Sequence, residues 1–416
     1  MKGLNEMEYI KFNKLWLLLI LIASIFSILY LYYTLFPGNV PSEVYKYFSN
    51  AEIYKAQKYH KINRLIYISS FIIKTSFLIY FIFGKTSIQI FRYIEKYSIN
   101  NYLINVFLYF IILWIILRLI SLPFSLISHF VQVNWGFSVQ SMSSWWRDYF
   151  ISGAIDFIFS SIGVILLFIA INKWHNTWWI LATVFLTIIM FAQIYIYPNF
   201  IAPLFNKFTT IKDEKIINMV EDISKSAGIK IDKIQEMDAS KRTTLANAYF
   251  YGFGNTSKIV LYDTLLNKYP ENEIRAVIAH EAGHWKENHV LKSLLIGIIG
   301  LFLGLYFLNV LIHESFIIEY GKKITPIILP AVYLFILLIN FDTNPIQNYI
   351  SRQMEKQADL LSVQFLHSKE PAISLQIDLA KKSLSDVYPP PFIEWFSYSH
   401  PSTMHRIELI EKAKLD

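Results

Sequence analysis

The chain has 416 residues, of which 54% are hydrophobic, 17% aromatic and only 17% charged. Soluble domains average about 25% charged residues, so this composition excludes an ordinary soluble protein and predicts an integral membrane protein. The absence of cysteine excludes disulfides and thiolate metal sites, so any metal must be held by histidine and carboxylate side chains. The net charge of +7 suits contact with anionic lipid. The sequence has no cluster of basic residues interleaved with aromatic residues, so we expect no nucleic-acid partner.

Apolar runs close to the roughly 20 residues that cross a bilayer recur along the chain. The first, from Leu15 to Phe36, is too long for the core of a signal peptide and lacks a small-residue cleavage site, so we interpret it as a retained membrane helix. We predict about seven spans, five before and two after a polar insert, at residues 15–36, 64–84, 102–128, 151–172, 178–197, 292–313 and 326–342.

Charged side chains inside these runs include Lys74, Arg118 and Asp156. A charge facing lipid is costly, so we expect all three to face the interior of the helix bundle or water. Lysine and arginine residues are nearly balanced between the two sides of the membrane, which leaves the orientation open. We favour a cytosolic insert and C-terminus, in either a bacterial inner membrane or the endoplasmic reticulum.

The polar insert contains a charged helix within DEKIINMVEDISKSAGI and a short strand within KIDKIQEMDAS. A hairpin follows, in which YFY and KIVLY flank a Gly-Asn turn. The segment ENEIRAVIAHEAGHWKENHV, preceded by Pro270, predicts one continuous helix. After the last span, SRQMEKQADLLSVQFL predicts a separate helix, and a turn at His400-Pro401 leads into a terminal helix. These polar parts predict one small α+β domain, split by the last two spans.

This organisation divides the chain into four parts. They are a five-span membrane region (1–197), a polar insert with an edge strand (198–291), two further spans (292–342) and C-terminal helices (343–416). The predicted fold class is a predominantly α-helical polytopic membrane protein with a small α+β domain.

The insert ends in the sequence His280-Glu281-Ala282-Gly283-His284. Residues four apart on a helix project from the same face, so His280 and His284 can bind one ion without bending the backbone. Two imidazoles suit zinc, and a catalytic zinc needs one further protein ligand and an open position for water. Glu281 lies about a quarter-turn from His280, where it can accept the proton as that water attacks a carbonyl.

Other interpretations of this motif are a chance match, a structural pair of surface histidines, a channel with a structural zinc, and a scaffold or transporter with an inactive site. The apolar residues from Ala276 to Ala279 indicate a largely buried helix, whose polar groups need partners. An open coordination position argues against a structural zinc, and the intact Glu281 argues against an inactive site.

The third ligand cannot come from an extended H-E-x-x-H-x-x-G-x-x-H motif, because Glu287 and Val290 occupy the positions of its glycine and histidine. On a continuing helix His289 points away from the metal-binding face, and we interpret it as packing at the helix end or membrane boundary. A carboxylate from a later helix is therefore expected. Glu355 and Asp359 share one helical face, so one can bind metal while the other hydrogen-bonds a ligand imidazole.

The segments HEAGHWKENH, SRQMEKQAD, LANAYFYG with KIVLYDTLL, IAPLFNKF and SHPSTMHRI together resemble the type I CAAX prenyl proteases, which are integral-membrane zinc metallopeptidases. The resemblance covers the whole chain. It implies one zinc ion per chain with Glu355 as third ligand, and Asp359 as the nearby acid that supports the site. It also implies seven helices around an intramembrane chamber, with the zinc at its cytosolic end. The small α+β domain is then a zincin-like metallopeptidase domain, in which the insert (198–291) is catalytic and the C-terminal helices (343–416) complete the zinc site.

The same resemblance implies that Asn247 helps hold the substrate backbone along an edge strand, and that His400 and Arg406 lie close to the metal. His400 is a candidate donor to the developing oxyanion, or a simple turn residue before Pro401. Arg406 either contacts substrate or pairs with a carboxylate of the tail helix. The extended KIVLY strand is a candidate to receive a peptide by β-augmentation.

The resemblance implies cleavage of a prenylated protein C-terminus just after its lipidated cysteine. The alternative is a quality-control protease for membrane proteins that needs no prenyl group, which differs in substrate and not in mechanism. The expected partners are a peptide or protein substrate, isoprenylated in the first case, and the lipid bilayer.

Overall fold

The structure is a computed structural model that describes residues 11–84, 86–99, 101–253, 256–316 and 323–415. Seven of its helices are long and apolar enough to cross a membrane. Five precede the polar insert and two follow it, as the hydrophobic runs predict. These helices are α1 (Lys14–Leu35), α2 (Asn50–Phe83), α4 (Tyr102–Asn134), α5 (Met142–Lys173), α6 (Trp178–Ile196, followed by tighter and wider turns to Leu204), α10 (His289–Ser315) and α11 (Ile328–Leu366).

Seven shorter helices complete the described part of the chain. They are α3 (Thr86–Tyr97), α7 (Glu214–Ala227), α8 (Asp263–Lys268), α9 (Glu271–Lys286), α12 (Glu370–Ser383), α13 (Pro391–Ser397) and α14 (Thr403–Lys412). The predicted insert helix is α7, and the predicted terminal helix is α14.

The prediction of a short last span and a separate C-terminal helix was wrong. Helix α11 runs without interruption for 39 residues, through Pro345, which lies inside it. A proline removes one backbone hydrogen bond and kinks a helix without necessarily ending it. At 1.5 Å per residue α11 is about 58 Å long, nearly twice the thickness of a bilayer core. One rigid element therefore carries Glu355 and Asp359 from the membrane bundle into the polar domain.

The polar insert folds around a four-stranded sheet of order β1-β2-β4-β3. Its strands are β1 (Phe208–Thr210), β2 (Lys233–Met237), β3 (Ala248–Phe253) and β4 (Thr256–Tyr262). Strands β3 and β4 form the predicted antiparallel hairpin, whose Gly254-Asn255 turn lies outside the described residues. The short β1, which no sequence pattern indicated, pairs with β2 at the far edge.

The KIVLY segment is not an edge strand. It forms β4, which lies between β2 and β3 and is hydrogen-bonded on both sides. Ile259, Val260 and Leu261 are fully buried there, because a strand with two neighbours and two covered faces needs a continuous apolar run. The two edge strands are β1 and β3, and β3 packs against α9, so a peptide added to the sheet on the α9 side would pair with β3.

The helix predicted across the motif is also broken. Helix α9 ends at Lys286, Asn288 adopts a left-handed conformation (φ 54°, ψ 39°), and α10 begins at His289. Asparagine tolerates this conformation better than most residues, because its short polar side chain interacts with the local backbone. The chain therefore changes direction between α9 and the sixth span.

The ionisable residues of the spans have distinct surroundings. Lys74 lines a cavity of about 680 Å³ between α2, α4, α5 and α11, together with serine, glutamine and asparagine side chains. Arg118 stacks over the Tyr149 ring and donates to the Tyr149 carbonyl oxygen at 3.1 Å. Asp156 is exposed and accepts a hydrogen bond from Trp114 Nε1 at 2.8 Å. Lys74 thus faces the interior as expected.

Candidate metal centre and active site

The candidate metal site lies where helix α9 packs closely against helix α11. Ala279, Ala282 and Ala358 are fully buried, and Gly283 of α9 faces the α11 backbone. A Cβ atom on Gly283 would lie 3.1 Å from Ala358 Cα and 3.2 Å from its carbonyl oxygen. Small residues allow the backbones to approach this closely, which brings the histidines of one helix against the carboxylates of the other.

His280, His284 and Glu355 converge on one point. The two Nε2 atoms lie 3.2 Å apart, and Glu355 offers Oε2 to His280 at 3.3 Å and Oε1 to His284 at 3.4 Å. One ligand atom from each residue falls within 4.8 Å of the others. Glu355 Oε2 is buried and has no hydrogen-bond partner among the described residues. Two imidazole nitrogens and a carboxylate oxygen without a hydrogen-bond partner form a donor set that fits zinc.

Asp359 lies behind the histidine pair. Its Oδ1 is 3.0 Å from His280 Nδ1, on the side of the ring away from Glu355. Arg406 of α14 binds the same carboxylate with two hydrogen bonds, from Nε at 2.8 Å and from Nη2 at 2.6 Å. Such a bidentate pair fixes the carboxylate plane, which in turn orients the imidazole.

Glu281 follows His280 on α9 and is partly buried beside the histidine pair. Burial raises the pKa of its carboxyl above the ordinary glutamate value, although the neighbouring histidines oppose this effect. A raised pKa brings a carboxylate closer to the range in which it accepts protons efficiently near neutral pH.

Comparisons with known proteins agree along the whole chain. Residues 210–414 match the model of peptidase family M48, and residues 30–207 match that of the CAAX prenyl protease N-terminal region with five membrane helices. CAAX prenyl protease 1 of Saccharomyces cerevisiae is 33% identical over 324 residues, which cover 70% of this chain and 69% of the relative. The chain belongs to the type I CAAX prenyl protease family.

Two further similarities support this membership. A Bacillus subtilis protein named uncharacterized metalloprotease YhfN is 31% identical over 312 residues, 72% of each chain. The crystal structure of Saccharomyces mikatae Ste24p superimposes with a TM-score of 0.82 at 27% identity, covering 97% of this chain and 100% of the other. The protein is thus a multi-pass membrane metalloprotease, which confirms the predicted fold class and enzyme type.

His400 lies beside the three candidate ligands, on a side that is exposed to solvent. Its Nε2 is 3.3 Å from Glu355 Oε1, and its Nδ1 is 2.9 Å from Ser399 Oγ. The side chain is 57% exposed and borders a cavity of about 770 Å³ that Arg406 also lines. The structure places His400 beside Glu355 and pairs Arg406 with Asp359 rather than with a carboxylate of its own helix.

Asn247 is exposed directly before β3, one of the two edge strands of the sheet. Its Oδ1 accepts from the Ala248 amide at 2.9 Å. The strand is tied to the catalytic helix through Phe250 and Trp285, whose ring centroids are 5.7 Å apart. The role of Asn247 in holding substrate stays a prediction, now attached to β3.

The expectation that His289 points away from the centre was wrong. Because α9 ends and the chain turns at Asn288, the ring of His289 comes back to His284, with 2.9 Å between their Nδ1 atoms. The sequence carried one signal of this turn: an asparagine between a charged helix and a long apolar run, a position typical of a helix end.

Sequence reasoning also missed the residues that hold the C-terminal loop in place. Arg352, one turn before Glu355, donates from Nη1 to the carbonyl oxygens of Glu394 (2.9 Å) and Tyr398 (2.7 Å). The buried Glu394 accepts from the Ser402 amide at 3.0 Å. These contacts lie on both sides of His400, so they set its position relative to Glu355.

Proposed function

We propose that this protein is a zinc endopeptidase that hydrolyses peptide bonds near the C-terminus of prenylated, CAAX-type substrates. The observation that carries the proposal is the convergence of His280, His284 and Glu355, with Glu281 beside them. A zinc ion bound there would supply Lewis acidity, which polarises a carbonyl and makes water a stronger nucleophile at neutral pH. Membership of a CAAX prenyl protease family supports the substrate class.

The residues of the chain then have separate tasks. Glu281 accepts the proton of the attacking water, helped by its raised pKa. His400, exposed beside Glu355, donates to the oxygen of the attacked carbonyl as negative charge develops on it. Asp359 holds the His280 ring, and Arg406 acts through Asp359 rather than on the substrate.

The substrate binds in extended form along β3. This strand is an edge strand, follows directly after the exposed Asn247 and is fixed to α9 through Phe250. Pairing with an edge strand supplies main-chain hydrogen bonds that do not depend on the side chains of the substrate. This mode of binding suits the unstructured end of a protein.

We further propose that the cavities form one intramembrane chamber. The cavity at His400 and the cavity at Lys74 share Tyr67 and Asn344 as lining residues, which supports a continuous space from the centre into the membrane bundle. The catalytic domain then lies at the cytosolic end, where the C-termini of cytosolic proteins are accessible.

The test uses purified full-length protein with matched farnesylated and unmodified peptides, and mass spectrometry of the products. We expect cleavage after the lipidated cysteine, and a rate about 10²- to 10⁴-fold lower for Glu281→Gln with its zinc content unchanged, because only the proton acceptor is lost.

Two other results of this cleavage experiment would change the proposed function. Equal cleavage of both peptides would replace the prenyl-specific function by a general one in membrane-protein turnover. A fully zinc-loaded wild type that cleaves neither peptide would contradict the proposed function.

A further inference from the structure

The two histidines of the centre have different partners on their outer sides. His280 Nδ1 faces the carboxylate of Asp359 at 3.0 Å. His284 Nδ1 instead faces His289 Nδ1 at 2.9 Å, and His289 Nε2 lies 3.1 Å from Gln357 Oε1. His289 is 3% exposed, so its ring is held inside the protein, whereas Gln357 lies on the outer face of α11.

The direction of the hydrogen bonds in this second arrangement follows from the ligand atoms. His284 Nε2 points to His280 and Glu355, so a metal bound there would take this nitrogen, and the ring proton would then sit on Nδ1. That proton can only be donated to His289 Nδ1, which must then be an acceptor. A neutral His289 carries its own proton on Nε2 and donates it to Gln357 Oε1.

We propose that His289 and Gln357 form a neutral relay that positions His284 as a metal ligand, the counterpart of Asp359 and Arg406 behind His280. This inference rests on the proposed metal site, and it goes beyond it by assigning two residues outside the ligand set. One ligand imidazole is thus supported by an anionic group, and the other by an uncharged chain of side chains from α10 and α11.

The backbone break at Asn288 is what makes the relay possible. On a continued helix, residues 284 and 289 lie five positions apart and point in different directions. The left-handed residue between α9 and α10 turns His289 back onto the catalytic helix. The first residue of the sixth span therefore contributes directly to the geometry of the site.

The experiment compares the zinc affinity of full-length His289→Leu and His289→Asn with that of the wild type, by competition with a chelator. For His289→Leu we expect about 10- to 100-fold weaker binding, as is usual when the hydrogen-bond partner of a ligand histidine is lost. His289→Asn keeps an acceptor oxygen near the position of Nδ1, so its affinity should stay within a few-fold of the wild type. His313→Leu is the control, because His313 lies at the other end of α10 and, within the described residues, forms its hydrogen bond with the Asn309 carbonyl oxygen of its own helix.

A second variant tests the relay without changing α10. Gln357→Leu replaces an exposed side chain and removes one neutral hydrogen bond from His289. We expect zinc binding about fivefold weaker, which is the usual contribution of one such hydrogen bond. Combined with His289→Leu it should add almost nothing, since the chain is already broken. If the leucine variant at position 289 does not fold, Gln357→Leu decides the question alone.

Two results would overturn the relay. One is wild-type zinc affinity in both leucine variants, together with an unchanged absorption spectrum of the cobalt-substituted protein. The other is an equal loss in His289→Asn and His289→Leu, which would indicate a packing role only. If His284→Ala binds zinc as tightly as the wild type, the proposed metal site itself fails, which is a distinguishable outcome.

Discussion

At the scale of single residues, Glu355 and Asp359 show how position in the fold gives two chemically equivalent carboxylates different roles. Both lie on one face of α11, and their spacing alone leaves either as the metal ligand. In the structure Glu355 lies next to the Nε2 atoms of both His280 and His284. Asp359 instead lies next to Nδ1 of His280 and is bound by Arg406. The bidentate guanidinium makes Asp359 a fixed acceptor, so its proposed task is orientation rather than coordination.

The contact between His405 and Glu394 predicts a pH-dependent stability. His405 Nδ1 lies 2.9 Å from Glu394 Oε1, and this hydrogen bond raises the pKa of His405. A pKa raised in the folded state stabilises the protein fully below the ordinary histidine pKa of about 6.5, and this stabilisation is lost as the pH rises through the folded value. Since the imidazole is half exposed, the effect should not exceed about 1 kcal/mol.

The measurement is the melting temperature of the detergent-solubilised protein between pH 5.5 and 9. The control is His405→Asn, whose amide donates from nearly the same position without titrating. We expect the difference between wild type and variant to shrink as the pH rises. A difference independent of pH would show that the charge of His405 does not contribute.

At the scale of secondary-structure elements, the close packing of α9 on α11 determines the site. Gly283→Ala places a methyl group 3.1 Å from Ala358 Cα, and because this neighbour is backbone, the helices must move apart by a few tenths of an ångström. We expect a loss of about 1–3 kcal/mol in stability, typical of overpacking, and weaker zinc binding because Glu355 moves with α11.

Melting temperature and zinc affinity of the Gly283→Ala variant measure both effects. The matched control is Gly300→Ala in α10, where an added Cβ meets no atom within 4 Å. There the change should be neutral or slightly stabilising, because alanine has the higher helix propensity. Equal behaviour of the two variants would refute the role of close packing.

At the scale of the whole molecule, a cavity with polar lining lies between four helices of the membrane region. The cavity at Lys74 is lined by Ser125, Gln132, Asn340 and other polar side chains, which would be costly against lipid. Lys74 forms no ion pair with any residue that the structure describes. We therefore expect this cavity to contain water.

The chain has no cysteine, so Lys74→Cys would carry a single thiol. We expect this thiol to react readily with a membrane-impermeant, water-soluble maleimide in proteoliposomes. The control is Ile73→Cys, whose side chain is exposed on the outer face of the same helix and would contact lipid. Equal labelling of both positions, or none at Lys74→Cys, would contradict a water-filled cavity.

Much of this architecture could be predicted because its signals are local. Long apolar runs give membrane helices wherever they fold, and the five-plus-two arrangement follows from counting them. Two histidines four residues apart share a helical face whatever surrounds them, so His280 and His284 were identifiable from spacing alone. The hairpin of β3 and β4 is local in the same sense.

The remaining features depend on contacts between residues distant in the sequence. Which strand of the hairpin lies at an edge of the sheet depends on the pairing of β2 with β4. An apolar run such as KIVLY has the same sequence pattern in a central strand as in an edge strand. The separate roles of Glu355 and Asp359, and the return of His289 to His284, depend on how α9, α10 and α11 cross. Periodicity shows which face of a helix a residue occupies, but only the packing of the helices determines what lies opposite that face.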